Sequence, residues 1–223
     1  MIDEYFEMFL DEFGQPTEYI EATEEQVKSY NGILPDRLLE YWQNTGFSGF
    51  QNGLFWITNP AEFEEIVDAF LEGTDFSEFD NYHVIARNAY GELYLWGERT
   101  GHSLTISPHL NWITTSVGDE KEIASLQADS AIESFFGFQN PEDLDIEVHS
   151  KPLLPDFVQK NGSLRSDEVV VFTPYLFMGG EKSLDKMSKE NLHSFLQIIA
   201  DLGGAEVIDM ASMVSNTVKH FGE

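Results

Sequence analysis

The chain has 223 residues, no cysteine, and 40 Asp and Glu against 12 Lys and Arg, which gives a formal charge of −28. That length suffices for one large domain or two small ones, and 13% aromatic residues argue against disorder. The charge argues against direct binding to nucleic acid, and the missing thiols exclude disulfides, thiolate zinc sites and cysteine nucleophiles.

Phe6, Phe9, Leu10 and Phe13 recur at helical spacing over 3–13, and Gly14-Gln15-Pro16 ends that segment. Thr23 and Gln26 have capping-box spacing, so a second short helix begins there and ends near Gly32. A third follows Pro35, then a Gly-punctuated aromatic turn over 46–53 and a buried strand. Residues 60–72 form the clearest helix, with Asn59 as cap, Pro60 at the first position and Glu62 completing an Asn-x-x-Glu box. At 100° per residue, Phe63, Ile66, Val67, Phe70 and Leu71 share one arc, and Glu62, Glu64, Glu65, Asp68 and Glu72 the other. Asp75, Glu78 and Asp80 extend the acidic run.

From Tyr82 the pattern turns to strands: 83–87 and 92–96 form a hairpin about Asn88-Ala89-Tyr90-Gly91, and 103–106 and 112–116 continue a meander. The polar, Gly-containing stretch 116–122 marks a soft boundary, dividing the chain into 1–117 and 118–223, with packing of the two parts as one body left open. The second part is helical over 124–136, irregular through the acidic 139–147, and helical again over 155–160. It continues with a strand over 168–172, a helix over 189–202 capped by Ser188, and a terminal helix near 210–220. The fold class is α+β: N-terminal helices packed on a mostly antiparallel sheet, then a smaller α+β segment ending in helices. Residues 1–86 hold 19 acids against only Lys28 and Arg37, so the N-terminal part is the denser anionic body.

No motif for catalysis emerges. Gly-x-Ser-x-Gly, phosphate-loop, dinucleotide and His-Glu-x-x-His patterns are all missing from the sequence. His102 and His109, seven apart, meet only by tertiary accident, and Glu142, Asp143, Asp145 and Glu147 lack the Gly and distal Glu of an EF-hand loop. Pro35-Asp36 and Pro155-Asp156 lack the downstream Glu-x-Lys of a metal-dependent nuclease. No catalytic residue, metal ligand or cofactor is therefore assigned. Of Trp42, Trp56, Trp96 and Trp112, about three of the four read as core. Phe47 and Phe50 lie in the turn and read as exposed anchors beside carboxylates.

The run PDRLLxYWxxxGFxGFxxGLFWxxxP over 35–60 closely resembles the GAD-like domain family, as does ARxAYGELYLW over 86–96. FxPxLxMGG over 172–180, followed by the helix 192–202, resembles the domain commonly found C-terminal to a GAD-like domain. Proteins of this arrangement include immunity proteins that neutralise DNase effectors of the type VI secretion system. The resemblance implies a toxin inhibitor and supplies no catalytic residue.

The expectation is a cytoplasmic immunity protein, not an enzyme, that binds a cognate toxin stoichiometrically and touches neither nucleic acid nor membrane. The start of the chain is acidic without a signal-like apolar core, and no apolar run nears the roughly 18 residues that span a bilayer. From this sequence alone, the toxin-binding surface is placed on Phe47, Phe50 and Tyr90 as anchors, surrounded by Glu62, Glu64, Glu65, Asp68, Glu72, Asp75, Glu78 and Asp80. Two alternatives stand beside it: an acidic adaptor or regulatory scaffold of the Smi1/Knr4 type, and a metal-dependent hydrolase using His83, His102 or His109. Oligomeric state is open.

Overall fold

A computed structural model describes residues 2–115 and 127–209. Helix α1 (Glu4–Phe13) starts where the Asp3 carboxylate accepts the amides of Tyr5 and Phe6, each at 3.0 Å. Helix α2 (Glu24–Ser29) carries the reciprocal Thr23–Gln26 box, and α3 (Asp36–Thr45) follows Pro35. Strands β1 (Gly49–Phe50) and β2 (Phe55–Ile57) come next, then a 3₁₀ turn at Pro60–Glu62 and α4 (Glu64–Leu71). Asn59 accepts from the Ala61 amide while its Nδ2 donates to Glu62 at 3.3 Å, so the expected capping box gives way to a turn tied side chain to side chain. The meander is β3 (Tyr82–Asn88), β4 (Leu93–Gly97), β5 (Gly101–Ser107) and β6 (Trp112–Thr115).

Beyond residue 126 lie α5 (Ala128–Gly137), a single turn α6 (Pro141–Leu144), a small hairpin of β7 (Glu147–Val148) and β8 (Lys151–Pro152), and α7 (Leu154–Asn161). A second hairpin, β9 (Glu168–Phe172) with β10 (Met187–Asn191), leads into α8 (Leu192–Leu202) and β11 (Glu206–Asp209). The helix expected from Lys189 begins only at Leu192. Residues 187–191 pair with β9 instead, and Asn191 rather than Ser188 caps, accepting the Ser194 amide at 3.0 Å. The 116–122 boundary, the start of the 124–136 helix and the 210–220 helix lie outside the described residues.

The seven-stranded sheet runs β1-β2-β3-β4-β5-β6-β11, antiparallel apart from the parallel β6–β11 pair. Strand alternation splits the core in two. Tyr94 and Trp96 join Phe6, Phe9, Tyr41, Phe55 and Phe136 on one face, whereas Leu93 and Leu95 join Ile66, Phe70, Leu196 and Ile199 on the other. A register shift between Val84 and Ala86 inserts Ile85, which is why Ile85 and Ala86 both face the first core. Strand β9 divides likewise, Val170 and Phe172 to the first core, Val169 and Val171 to the second. Both cores thus draw side chains from either side of residues 116–126.

Backbone links cross the same seam. The Val170 amide donates to Ala89 O at 2.8 Å and the Leu164 amide to Asn52 O at 3.0 Å. Arg87, wholly buried, donates to Ser166 O at 2.8 Å and stacks on Trp56 at 4.7 Å. Burial lowers its pKa to about 9.

The aromatic turn is core, not surface. A Cβ at Gly46 would lie 1.9 Å from Ile20 O, and one at Gly49 would lie 2.6 Å from the Trp56 ring. These glycines mark crowding rather than an exposed loop. Trp42, Trp56 and Trp96 are buried and Trp112 is 39% exposed, the one exception among the four.

Candidate functional site

The amphipathic pattern of α4 decides where charge accumulates. Burying Ile66, Val67, Phe70 and Leu71 leaves Glu64, Asp68 and Glu72 on the outer side. The chain then turns at Gly73, and Thr74 Oγ1 accepts the Phe76 amide at 3.3 Å to start a 3₁₀ turn at Asp75–Glu78. Returning to β3, it encloses a groove of about 660 Å³ between α4 and the β3–β4 pair. Five carboxylates line it: Glu64, Asp68, Glu72, Asp80 and Glu98.

These carboxylates are not equivalent. The Asp80 side chain is only 2% exposed, because it organises the β4–β5 turn. Its Oδ2 accepts the Arg99 and Thr100 amides, each at 3.0 Å, and the Thr100 hydroxyl at 2.8 Å. Glu98 Oε1 lies 3.1 Å from His83 Nε2, and His83 Nδ1 is buried without a hydrogen-bond partner among the described residues. Glu64 lies close enough to Tyr30 to add to the burial that raises that phenol's pKa. Glu64, Asp68 and Glu72, with Glu98 beside His83, are the solvent-facing carboxylates of the groove.

An aromatic stands beside them, but it is Phe79. Its ring is 46% exposed, the Arg99 guanidinium lies 5.1 Å from the ring centroid, and Arg99 Nη2 donates to Phe79 O. The expected anchors are elsewhere. Phe47 is 5% exposed and packs edge-on against Trp42 at 5.0 Å, and Phe50 is fully buried against Phe9 at 5.0 Å. Tyr90 is 1% exposed, with its hydroxyl donating to Asp145 at 2.5 Å. None of the three presents a ring to a partner, and their assignment as exposed anchors is corrected on that ground. Phe79 was missed although Ser77 to Asn81 is otherwise polar, the setting of an aromatic with no core to join.

Of the eight carboxylates singled out by sequence, Glu64, Asp68, Glu72 and Asp80 meet in the groove. Asp75 and Glu78 are exposed on the adjoining turn, and Glu65 is exposed on α4. Glu62 belongs to a different and smaller hollow, of about 130 Å³, shared with Arg87, Asp167 and His193.

The three histidines considered for metal chemistry do not converge. His83 lines the acidic groove. His102 packs against Phe135 at 4.8 Å, and burial lowers its pKa to about 4. His109 lies against Tyr90 and is lowered to about 4 chiefly by burial, with Lys182 adding to it. Among the described residues no group of three or more His, Asp or Glu is placed to hold a metal ion. Nor, among them, is any helix long and apolar enough to cross a membrane.

Residues 4–110 match the model of the GAD-like domain, and residues 129–203 match that of the T6SS immunity protein Tdi1, C-terminal. The second match supports an immunity role in type VI secretion. A crystal structure of Atu4351 from Agrobacterium tumefaciens superposes with a TM-score of 0.80 at 21% identity, covering 92% of each chain, which establishes a common fold. No curated protein matches the chain.

Proposed function

We propose that this chain, a GAD-like domain joined to the C-terminal domain of a type VI secretion immunity protein, binds an antibacterial DNase toxin and blocks it stoichiometrically without catalysis. The observation that carries the reading is the acidic groove with Phe79 beside it. A DNA-cleaving toxin needs a positive surface to hold phosphates, so an acidic partner is steered to that surface and competes for it. Electrostatics of this kind mainly raise the association rate, to about 10⁸–10⁹ M⁻¹s⁻¹ at low salt. Tight binding also needs a desolvated centre within an interface of roughly 1,600 Å², and Phe79 is the aromatic placed to supply one.

In this account the two segments act as a single body, because both cores and the seam hydrogen bonds tie them together. The protein works in the cytoplasm, where a DNase meets the chromosome. The test is DNA cleavage by a candidate cognate type VI secretion DNase, titrated with the purified protein. Cleavage falls to nothing at about one equivalent, with a complex stable to gel filtration. Full inhibition by a small fraction of an equivalent would instead mean that the chain inactivates the toxin catalytically, and no complex at all would remove the toxin reading.

A further inference from the structure

A second concavity, of about 650 Å³, opens where the two matched segments meet and shares no lining residue with the acidic groove. One wall is the turn between β1 and β2, with Asn52 and Leu54, and the other runs from α6 through the β7–β8 hairpin to α7, with Glu142, Glu147, Leu154 and Val158. Gln51, Asn52 and Ser150, three of the five non-glycine residues with positive φ among those described, line it. Such backbone persists only where surrounding contacts hold it. Here Asn52 O accepts the Leu164 amide at 3.0 Å, Asn52 Oδ1 accepts Ser163 Oγ at 2.9 Å, and Gln51 Nε2 donates to Glu12 O at 2.8 Å. The cleft is thus shaped in advance by contacts across the seam.

Its chemistry is one-sided. Asp145 is committed to the fold, accepting the Tyr90 hydroxyl and the Leu154 amide. Lys151, the cation of the adjoining hairpin, is held by Asp156 at 2.5 Å. The exposed carboxylates of Glu142 and Glu147 have no ion-pair partner among the described residues, and they stand over an apolar floor of Leu54, Leu154 and Val158. A lysine or arginine side chain fits that arrangement, its stem on the apolar floor and its head on the carboxylates. The volume lies within the roughly 300–1,000 Å³ range of ligand-holding pockets.

We infer that the seam cleft receives an extended basic segment of the partner toxin, Lys or Arg alternating with apolar residues, as a second contact separate from the acidic groove. The inference rests on the toxin-binding function proposed above. It also gives the fusion of the two segments a purpose, since the cleft takes one wall from each.

The test has two arms. The peptides acetyl-Leu-Arg-Leu-Lys-amide and acetyl-Leu-Glu-Leu-Asp-amide are titrated into the isotope-labelled full chain and followed by amide chemical shifts. The basic peptide shifts Asn52, Glu142, Ser150 and Val158, the effect shrinks as salt is added, and the acidic peptide leaves them unmoved. No shift, or equal shifts with both peptides, overturns the proposal. In the second arm the double variant Glu142→Lys/Glu147→Lys, its melting temperature unchanged, inhibits the toxin about tenfold more weakly. If the parent inhibits and the double variant inhibits equally well, the cleft is no contact although the immunity reading stands. If the parent itself fails to inhibit, that reading falls, and the peptide arm alone still decides whether the cleft binds basic chain.

Discussion

Changing Glu64, Asp68 and Glu72 to Gln, Asn and Gln removes three exposed charges from one wall of the acidic groove and leaves the buried stripe of α4 intact. A cation on the partner about 8 Å away interacts with each carboxylate by roughly 0.5 kcal/mol in a water-like dielectric. At physiological ionic strength that distance is about one Debye length, which leaves roughly a third of the interaction. The three changes together therefore cost the encounter about 1.5 kcal/mol at low salt, or about tenfold in rate, and about 0.5 kcal/mol at physiological salt, or two- to threefold. Stopped-flow association with a catalytically inactive toxin, run at both salts, reads these numbers directly. The triple variant should show a slower rate and a flatter salt dependence, with an unchanged melting curve. An unchanged rate constant, or a loss that is the same at both salts, would refute the argument that this groove steers the partner.

Three further outcomes follow from named contacts. Phe79→Ala removes a ring 46% exposed beside the groove, so affinity for the toxin should weaken by about 1–2 kcal/mol, read by calorimetry, with stability unaffected. Phe136→Ala should cost about 3–5 kcal/mol in urea unfolding, because that fully buried ring meets Phe6, Phe9, Tyr41, Phe55 and Phe135 at centroid distances of 5.1 to 6.1 Å. Acidification supplies the third. His102 and His109 are held neutral, with pKa lowered from 6.5 to about 4 in the folded state. Their contribution is therefore complete above pH 6.5 and is lost as pH falls towards 4, at up to about 1.4 kcal/mol per pH unit for each. Burial raises Glu92 and Asp145, so these carboxyls act in the opposite sense, gaining stability as they take up protons. Urea midpoints for the parent and for His102→Phe at pH 7 and pH 5 separate the two effects: the variant should show the smaller fall, and an equal or larger fall would contradict the assignment.

What the sequence revealed follows from how local each signal is. Helices α1 to α3, the β3–β4 hairpin and β9 announce themselves through caps, turn residues and periodicity within a dozen residues. Strands β10 and β11 do not. Met187–Asn191 is a polar stretch that becomes a strand because the apolar β9 lies opposite, and Glu206–Asp209 joins β6 in parallel from more than 90 residues away. The groove was half legible. The exposed arc of α4 gave Glu64, Asp68 and Glu72, but Glu98 and His83 reach the same groove only through the β3–β4 pairing. The anchors went astray for a physical reason. Glycines around Phe47 and Phe50 read locally as an open turn, whereas Gly46 and Gly49 are there because Ile20 O and the Trp56 ring leave no room for a side chain. Asp80 misled in the same way, since nothing local shows that its carboxylate is consumed by the backbone of Arg99 and Thr100.

Inhibition by competition requires that an acidic face of this protein occupy the surface on which a toxin would hold DNA. Fluorescence anisotropy of labelled DNA bound to a catalytically inactive toxin, with the chain titrated in, tests it most directly. About one equivalent should release the DNA, and the triple groove variant should need several times more at low salt. A ternary complex, in which the chain binds the toxin while the DNA stays bound, would contradict it.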